Sequence, residues 1–345
     1  MTGVSAAGQA IGVDIGGSKV LAVRYGPGGV VEASVKLPTP GEAEGVVATV
    51  LAAADLVAPE GQDASRIPLG VGCPGMIDRK GVPHYCPHLH CLDGVPFRDL
   101  LAQRRPGAPT MVVNDATAAC WAEHLLGAGR GAQDMVMATL GTGIGGGAVL
   151  GGRLVEGGHG FAGEIGHMVV DANGPPCPCG KRGCWERFAS GSGLGRLARE
   201  AALAGELDGA VDLAGGDPES VRSEHVTALA LQGDAACLAV MGRFAWWVAL
   251  GLANLANALD PGLIVVGGGL VESHSVLMGP LRDAFAELVE APGARSVSIV
   301  PAELGERAGG VGAALLVLAG VFRPAPAGQL VTPAPGAAAS LGLQP

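Results

Sequence analysis

A chain of 345 residues, 48% of them hydrophobic, is long enough to bury a large core and fits two domains at the usual ~100 to 200 residues each. Its formal net charge of −10 excludes the clustered lysine and arginine footprint that nucleic-acid backbones demand. With 59 glycines and only 3% aromatic residues, it is suited to tight turns and close backbone approaches rather than to stacking bases.

The opening MTGVSAAGQA has neither the positive start nor the apolar middle of a signal peptide, and no apolar run of about 18 residues is free of polar interruption. A cytoplasmic protein with no membrane association is expected. The stretch IGVDIGGSKVLAVRYGPGGVVEASVKL alternates apolar runs with glycine turns, which predicts a meander of hairpin strands. Helical spacing follows over 41–57. IPLGVGCPGMI then reads as an apolar strand ending in a Gly/Pro turn, and MVVNDATAACWAEHLLG as strand, sharp switch and helix. DMVMATLGTGIGGGAVLGGRLV returns to strand, glycine turn, strand, repeating the shape of the first unit and pointing to a duplicated lobe.

Helical patterns come next near 188–205 and through HVTALALQGDAACLAVMGRFAWWVALGLANLANALD, where Phe244, Trp246 and Trp247 serve either the core or an interface, the core reading being favoured. LIVVGGGL is a buried strand running into a glycine turn, and GGVGAALLVLAGVF a last helix that closes the core. From Arg323 onward the sequence has too little bulky apolar content to pack, so 323–345 is expected to be a disordered tail. The class is mixed α/β.

Asp14, Gly16, Gly17, Ser18 and Lys19 lie between two strands, which fits neither a Walker loop nor a dinucleotide fingerprint, both of which lead into a helix. Gly141, Gly143 and Gly146 do satisfy GxGxxG, but a strand follows them as well. Two such tips are either plain tight turns or a pair of backbone N–H cradles facing one polyphosphate, with Asp14 helping to hold Mg²⁺ through water. Asn114 and Asp115 sit at a strand-to-helix switch. There they either cap the helix or present a carboxylate that takes a proton from an attacking hydroxyl.

Cysteines at 73, 86, 91, 120, 177, 179, 184 and 237 are spaced too unevenly for a disulfide framework. His167, Cys177, Cys179 and Cys184 make a Cys₃His set. Four ligands of this softness suit tetrahedral Zn²⁺ and leave no open position for reactive water, so such a metal would be structural; the alternative is free core cysteines. The run His84, Cys86, His88, His90 and Cys91 is too crowded to select four ligands, leaving a second metal site or an ordinary loop. No chemistry is expected of His124, His225 or His274.

DIGGSK at 14–19, CPGMID at 73–78, VVNDATAA at 112–119, LGTGIGGG at 140–147, AGEIGH at 162–167, CPCGKRGCWERFASG at 177–191 and NALDPGLIVVGGG at 257–269 occur in that order. On these segments the chain, over 11–320, resembles the ROK family of sugar kinases and sugar-responsive regulators, and within it the bacterial glucokinase type. The resemblance implies an actin-like (ribonuclease-H-like) α/β fold of two domains around a cleft. A smaller lobe would comprise 1–115 with 308–322, and a larger one 116–307.

The same resemblance implies ATP with Mg²⁺ in the cleft and a hexose beside it, with Asp115 as catalytic base. Gly75, Asn114, Asp115, Glu164, His167 and Glu186 would line the sugar site. Phosphates would lie against Asp14, Gly16, Gly17, Ser18 and Lys19 and against Gly141, Thr142 and Gly143, while Gly267, Gly268 and Gly269 would approach the nucleoside. Zinc on one nitrogen of His167 would orient the other toward the sugar, with Glu186 aimed the same way. A homodimer or homotetramer is the family expectation. His88-Leu89 departs from the family's usual Asn-Leu pair, and Ser18 stands where Thr is commoner. Regulator members carry an added helix-turn-helix domain, whereas ten residues precede the first strand here, so a DNA-binding regulator is not expected. Glucose leads as acceptor, with N-acetylhexosamine or fructose in the same reaction class and a non-catalytic sugar sensor as the alternative of another class. ATP and polyphosphate both stay open as donor.

Overall fold

The computed structural model describes residues 8–87, 89–270 and 274–320. His88, the side chain of His274 and the expected tail 323–345 lie outside the described residues.

The expected opening meander is β1 (Ala10–Ile15), β2 (Lys19–Tyr25) and β3 (Val31–Pro38), paired antiparallel. Helix α1 (Ala43–Val57) returns the chain to β4 (Leu69–Cys73), which joins β1 in parallel. A small hairpin, β5 (Met76–Ile77) with β6 (Pro83–Tyr85), and helix α2 (Phe97–Gln103) lead to β7 (Thr110–Asn114), parallel to β4. The sheet order is β3-β2-β1-β4-β7. Val13, Ile15, Leu69 and Val71 are fully buried and, at alternate positions of paired strands, form one covered face of the sheet.

The second sheet repeats this plan. After α3 (Asp115–Leu126), strands β8 (Met135–Leu140), β9 (Ile144–Leu150) and β10 (Arg153–Leu154) form another antiparallel meander. Strands β11 (Leu263–Gly267) and β12 (Ser298–Pro301) then add in parallel beside β8, giving the order β10-β9-β8-β11-β12. The duplicated shape expected from the two glycine hairpins is therefore a duplicated topology.

Between β10 and β11 the chain inserts α4 (Glu186–Ala189), α5 (Gly191–Leu203), α6 (Asp208–Leu213), α7 (Ser223–Leu231) and α8 (Ala235–Leu259), and α9 (His274–Leu288) follows β11. Two helical stretches expected as continuous are broken by local chemistry. Ser190 is extended and its hydroxyl accepts from the Gly193 N–H, which starts α5 afresh. Gly233 takes a φ of +90° and Asp234 Oδ1 accepts from the Cys237 N–H at 2.8 Å, which starts α8. Helix α8 is long and apolar enough to cross a bilayer by composition alone, despite Arg243 within it, but half of that stretch is buried against neighbouring helices. Phe244 lies in the core while Trp246 is 39% exposed.

Helices α3 and α10 (Ala308–Ala319) stack between the sheets. Ala118, Cys120 and Trp121 of α3 share one core with Leu316 of α10, Val23 of the first sheet and Met137 and Val265 of the second. The approach is set by missing side chains. A Cβ on Gly12 or Gly70 would overlap a backbone carbonyl of α10, and one on Gly312 would overlap the Ala118 carbonyl of α3. The two sheets thereby meet at one helix pair, leaving a cleft at the carboxyl ends of their parallel strands.

Candidate active site

Asp14 is the next-to-last residue of β1 and pairs with Gly72 of β4, whose lack of a side chain leaves room for the Asp14 carboxyl group and for the Asp115 Cα and Cβ. Asp115 is the first residue of α3, where the helix N-terminus favours a negative charge, and its Oδ1 accepts from the Ala116 N–H at 2.8 Å. The cap itself is Asn114: its Oδ1 accepts from the Thr117 N–H at 2.8 Å and its Nδ2 donates to the Gly75 carbonyl at 3.1 Å. Gly75 has a φ of +96°, and a Cβ there would overlap the Tyr85 carbonyl. One asparagine thus ties the Pro74-Gly75 turn to the helix that carries Asp115.

A cavity of about 490 Å³ opens here. Asp14, Asp115, Gly267, Gly268 and Gly269, all singled out in the sequence, line it. Gly268 has a φ of +90° and a Cβ there would overlap the Leu140 carbonyl, so the turn after β11 must be glycine. Sequence reasoning missed Thr139, Ala302, Gly305, Glu306 and Gly309, which also line it. Thr139 had a signal: it is the next-to-last residue of β8, the position that Asp14 holds in β1.

The cavity lining does not include the hairpin tips 16–19 and 141–143. In the first, the Gly16 N–H donates to the Lys19 carbonyl at 2.8 Å, and Thr39 braces the turn through its Oγ1 on the Gly16 carbonyl at 2.8 Å. Gly17, Ser18 and Lys19 are exposed. Lys19 and Lys36 both pair with Glu306, at 3.0 and 2.7 Å, and their hydrogen bonds hold its carboxyl down at about 2. Burial, and then the charge of Asp115, push the Asp14 carboxyl up to about 7, with Lys19 opposing. Two acids at one end of a cleft, each bearing on the other's charge, are a fit for a divalent cation that keeps its waters.

Glu164, His167 and Glu186 come together beside Asp115. Burial raises the Glu164 carboxyl to about 7, helped by the charges of Asp115 and Glu186. His167 Nε2 lies 3.9 Å from Glu164 Oε2, and Nδ1 lies 3.7 Å from Glu186 Oε1. Nδ1 also faces Cys177 Sγ at 3.9 Å. Ligand atoms of His167, Cys177, Cys179 and Cys184 all fall within 4.8 Å of one another, and Cys179 and Cys184 Sγ are 3.6 Å apart. Zn–S bonds of about 2.3 Å in a tetrahedron give sulfur–sulfur edges of about 3.8 Å, so the four residues fit the metal.

The knuckle is held by its own turn, with the Cys177 N–H on the Lys181 carbonyl at 2.8 Å, and by Trp185 behind it. The Trp185 ring is fully buried against Gly251 of α8, and its Nε1 donates to the Trp247 carbonyl at 2.7 Å. Glu186, the next residue, therefore projects from a fixed base, and its Oε2 lies 2.9 Å from where a Cβ on Gly143 would stand.

The histidine-rich loop is an ordinary one so far as it is described. His84 Nε2 meets Asp78 Oδ2 at 3.0 Å, His90 Nδ1 meets Asp93 Oδ2 at 3.1 Å, and Cys86 Sγ donates to the Pro74 carbonyl at 3.0 Å. Among the described residues no second set of three such groups converges.

Comparison with known proteins gives a consistent outcome. The ROK family profile matches residues 10–319. The glucokinase of Streptomyces coelicolor is 35% identical over 313 residues, 89% of this chain and 96% of that protein. The N-acetylmannosamine kinase of Shigella boydii is 36% identical over 310 residues, 89% of this chain and 97% of that protein. Among solved structures, a ROK family glucokinase from Streptomyces griseus in complex with glucose and AMPPNP superposes with a TM-score of 0.78 at 37% identity, covering 90% of this chain and 99% of that one.

Proposed function

Because the chain belongs to the ROK family, with its actin-like two-domain fold, and is an ATP-dependent sugar kinase, we propose that it transfers the γ-phosphoryl group of ATP to the 6-hydroxyl of glucose. The observation that carries this reading is the adjacency of two sites. A glycine-walled cavity containing Asp14 and Asp115 abuts a Glu164, His167 and Glu186 cluster. The first would take the nucleotide and the second the sugar.

In the proposed mechanism Asp115 accepts the proton of the 6-hydroxyl as its oxygen bonds to the γ-phosphorus and the bond to the ADP oxygen breaks. Mg²⁺, when bound, offsets negative charge on the transferring group. Asp14 would help to hold the ion, and Asn114 keeps the Gly75 turn and the Asp115 helix in register. Gly16, Gly17, Ser18 and Lys19 would meet phosphates from one lobe and Gly141, Thr142 and Gly143 from the other, with Lys19 exchanging Glu306 for phosphate oxygen. Glu164, His167 and Glu186 would bind sugar hydroxyls, and a zinc held by Cys177, Cys179, Cys184 and His167 Nδ1 would leave Nε2 to face the sugar. We further assign a homodimer or homotetramer, to be read by sedimentation.

A second acceptor has a specific observation behind it: the N-acetylmannosamine kinase is as similar as the glucokinase. A coupled assay over glucose, mannose, fructose and N-acetylated hexosamines, with ATP and polyphosphate as donors, decides. Highest kcat/KM with glucose and ATP is expected. Preference for an N-acetylated sugar would overturn the glucose assignment, and no turnover with any of them the kinase reading.

A further inference from the structure

Glu123 is the ninth residue of α3, on an otherwise apolar helical face, and is completely buried. No lysine or arginine forms an ion pair with it among the described residues. Both its oxygens act as acceptors: Oε1 from the N–H of Glu303 at 3.0 Å and of Leu304 at 2.7 Å, Oε2 from the N–H of Ala128 at 2.8 Å and of Glu303 at 3.2 Å. The partners are the turn that ends α3 and the strap joining β12 to α10. Both flanks of that strap line the cavity, with Pro301 and Ala302 before the bonded amides and Gly305 and Glu306 after them. Gly127 leaves the space that the carboxyl group needs, since a Cβ there would overlap Oε2.

A side chain that serves only the core would be apolar here. Instead α3 offers its single buried acid to backbone groups of the one strap that crosses from the second sheet to the helix between the sheets. The strap's other ties are the Ala302 N–H on the Val266 carbonyl at 2.9 Å and ion pairs between exposed side chains, Arg130 with Glu303 at 3.5 Å and Lys19 and Lys36 with Glu306 at 3.0 and 2.7 Å. We propose that Glu123 is a positioning residue for the phosphoryl donor. It clamps 301–306 to the helix whose first residue is Asp115, so that the cavity wall and the acid stand in fixed register. This rests on the reading of the cavity as the nucleotide site.

The test is E123Q, in which an amide NH₂ replaces one acceptor and faces backbone donors. The KM for ATP is expected to rise about tenfold while that for glucose changes less than about twofold, and hydrogen exchange at the Glu303 and Leu304 amides to quicken. Breaking the exposed Arg130 tie with R130A should leave both KM values unchanged. Gly269→Val guards the underlying reading: Gly269 lines the cavity with open space before it, so valine must raise the ATP KM if nucleotide binds there. If Gly269→Val has no effect, the nucleotide reading fails whatever Glu123 does. If it acts as expected but E123Q leaves the ATP KM unchanged, or raises both KM values alike, the positioning role is refuted. Should E123Q not fold, Glu123→Asp, which draws the acceptors back by one methylene, carries the same expectation.

Discussion

If the cavity takes MgATP as proposed, Asp14 makes donor binding proton-linked. Its carboxyl is raised to about 7 from an ordinary 3.8, chiefly by burial and then by Asp115. A folded pKa above the unfolded one means that the free protein gains from this group below about pH 4 and loses that gain as pH climbs through about 7. Mg²⁺ with nucleotide requires the ionised form, so binding must expel the proton. Between pH 8 and pH 6 the ionised fraction falls from about nine tenths to about one tenth. The affinity for MgATP should therefore fall about tenfold, or ~1.4 kcal/mol. Calorimetry at saturating Mg²⁺ in two buffers of different ionisation enthalpy measures both the affinity and the proton released, about half a proton per site at pH 7. The rise in Tm on adding MgATP should likewise grow from pH 6 to pH 8. Asp14→Asn should bind more weakly and without this slope. A pH-independent affinity in the unaltered protein, or the same slope in Asp14→Asn, would refute the argument.

Asp115→Asn should fold normally and bind glucose by calorimetry, yet lose about 10²- to 10⁴-fold in kcat; near-normal turnover would remove Asp115 from its role. Cys179→Ser, or treatment with a zinc chelator, should lower the metal content measured by atomic emission and raise the glucose KM by about tenfold or more, because His167 and Glu186 lose their common base. A metal-free protein that stays folded with an unchanged glucose KM would break that coupling. Gly309→Ala sets helix propensity against the site. Alanine favours α10 by ~1 kcal/mol, but its Cβ would stand 2.7 Å from Asp14 Oδ2. Tm should hold while the ATP KM rises, and an unchanged KM would show that Asp14 can turn aside at no cost.

Hairpins and buried strands are legible because each carries its own pattern: IGVDI and MVMATL are mainly apolar runs that stop at glycine. The breaks before α5 and α8 were not, since they depend on single caps, Ser190 and Asp234, inside otherwise helical composition. Residues near one another in sequence, such as Cys177, Cys179 and Cys184, could be grouped by spacing alone. Those gathered from distant elements could not. Glu306 reaches the cavity from a strap and Thr139 from a strand interior, and neither belongs to a recognisable local pattern.

Thr139 shows what could have been read further. The two sheets have the same strand order, so the end of β1 predicts the end of β8 by position, without any likeness of letters. The departure from that symmetry is as informative as the symmetry itself. Strand ends and the turns after them, in both lobes, build the wall that we assign to the nucleotide. Glu164, His167 and Glu186 instead come from the stretch between β10 and α5, which has no counterpart in the first lobe. A segment without a sheet to shape it must be fixed by other means. Trp185 against Gly251 and the convergence of His167, Cys177, Cys179 and Cys184, a set that fits a metal, supply them at the place where three polar side chains need a common orientation.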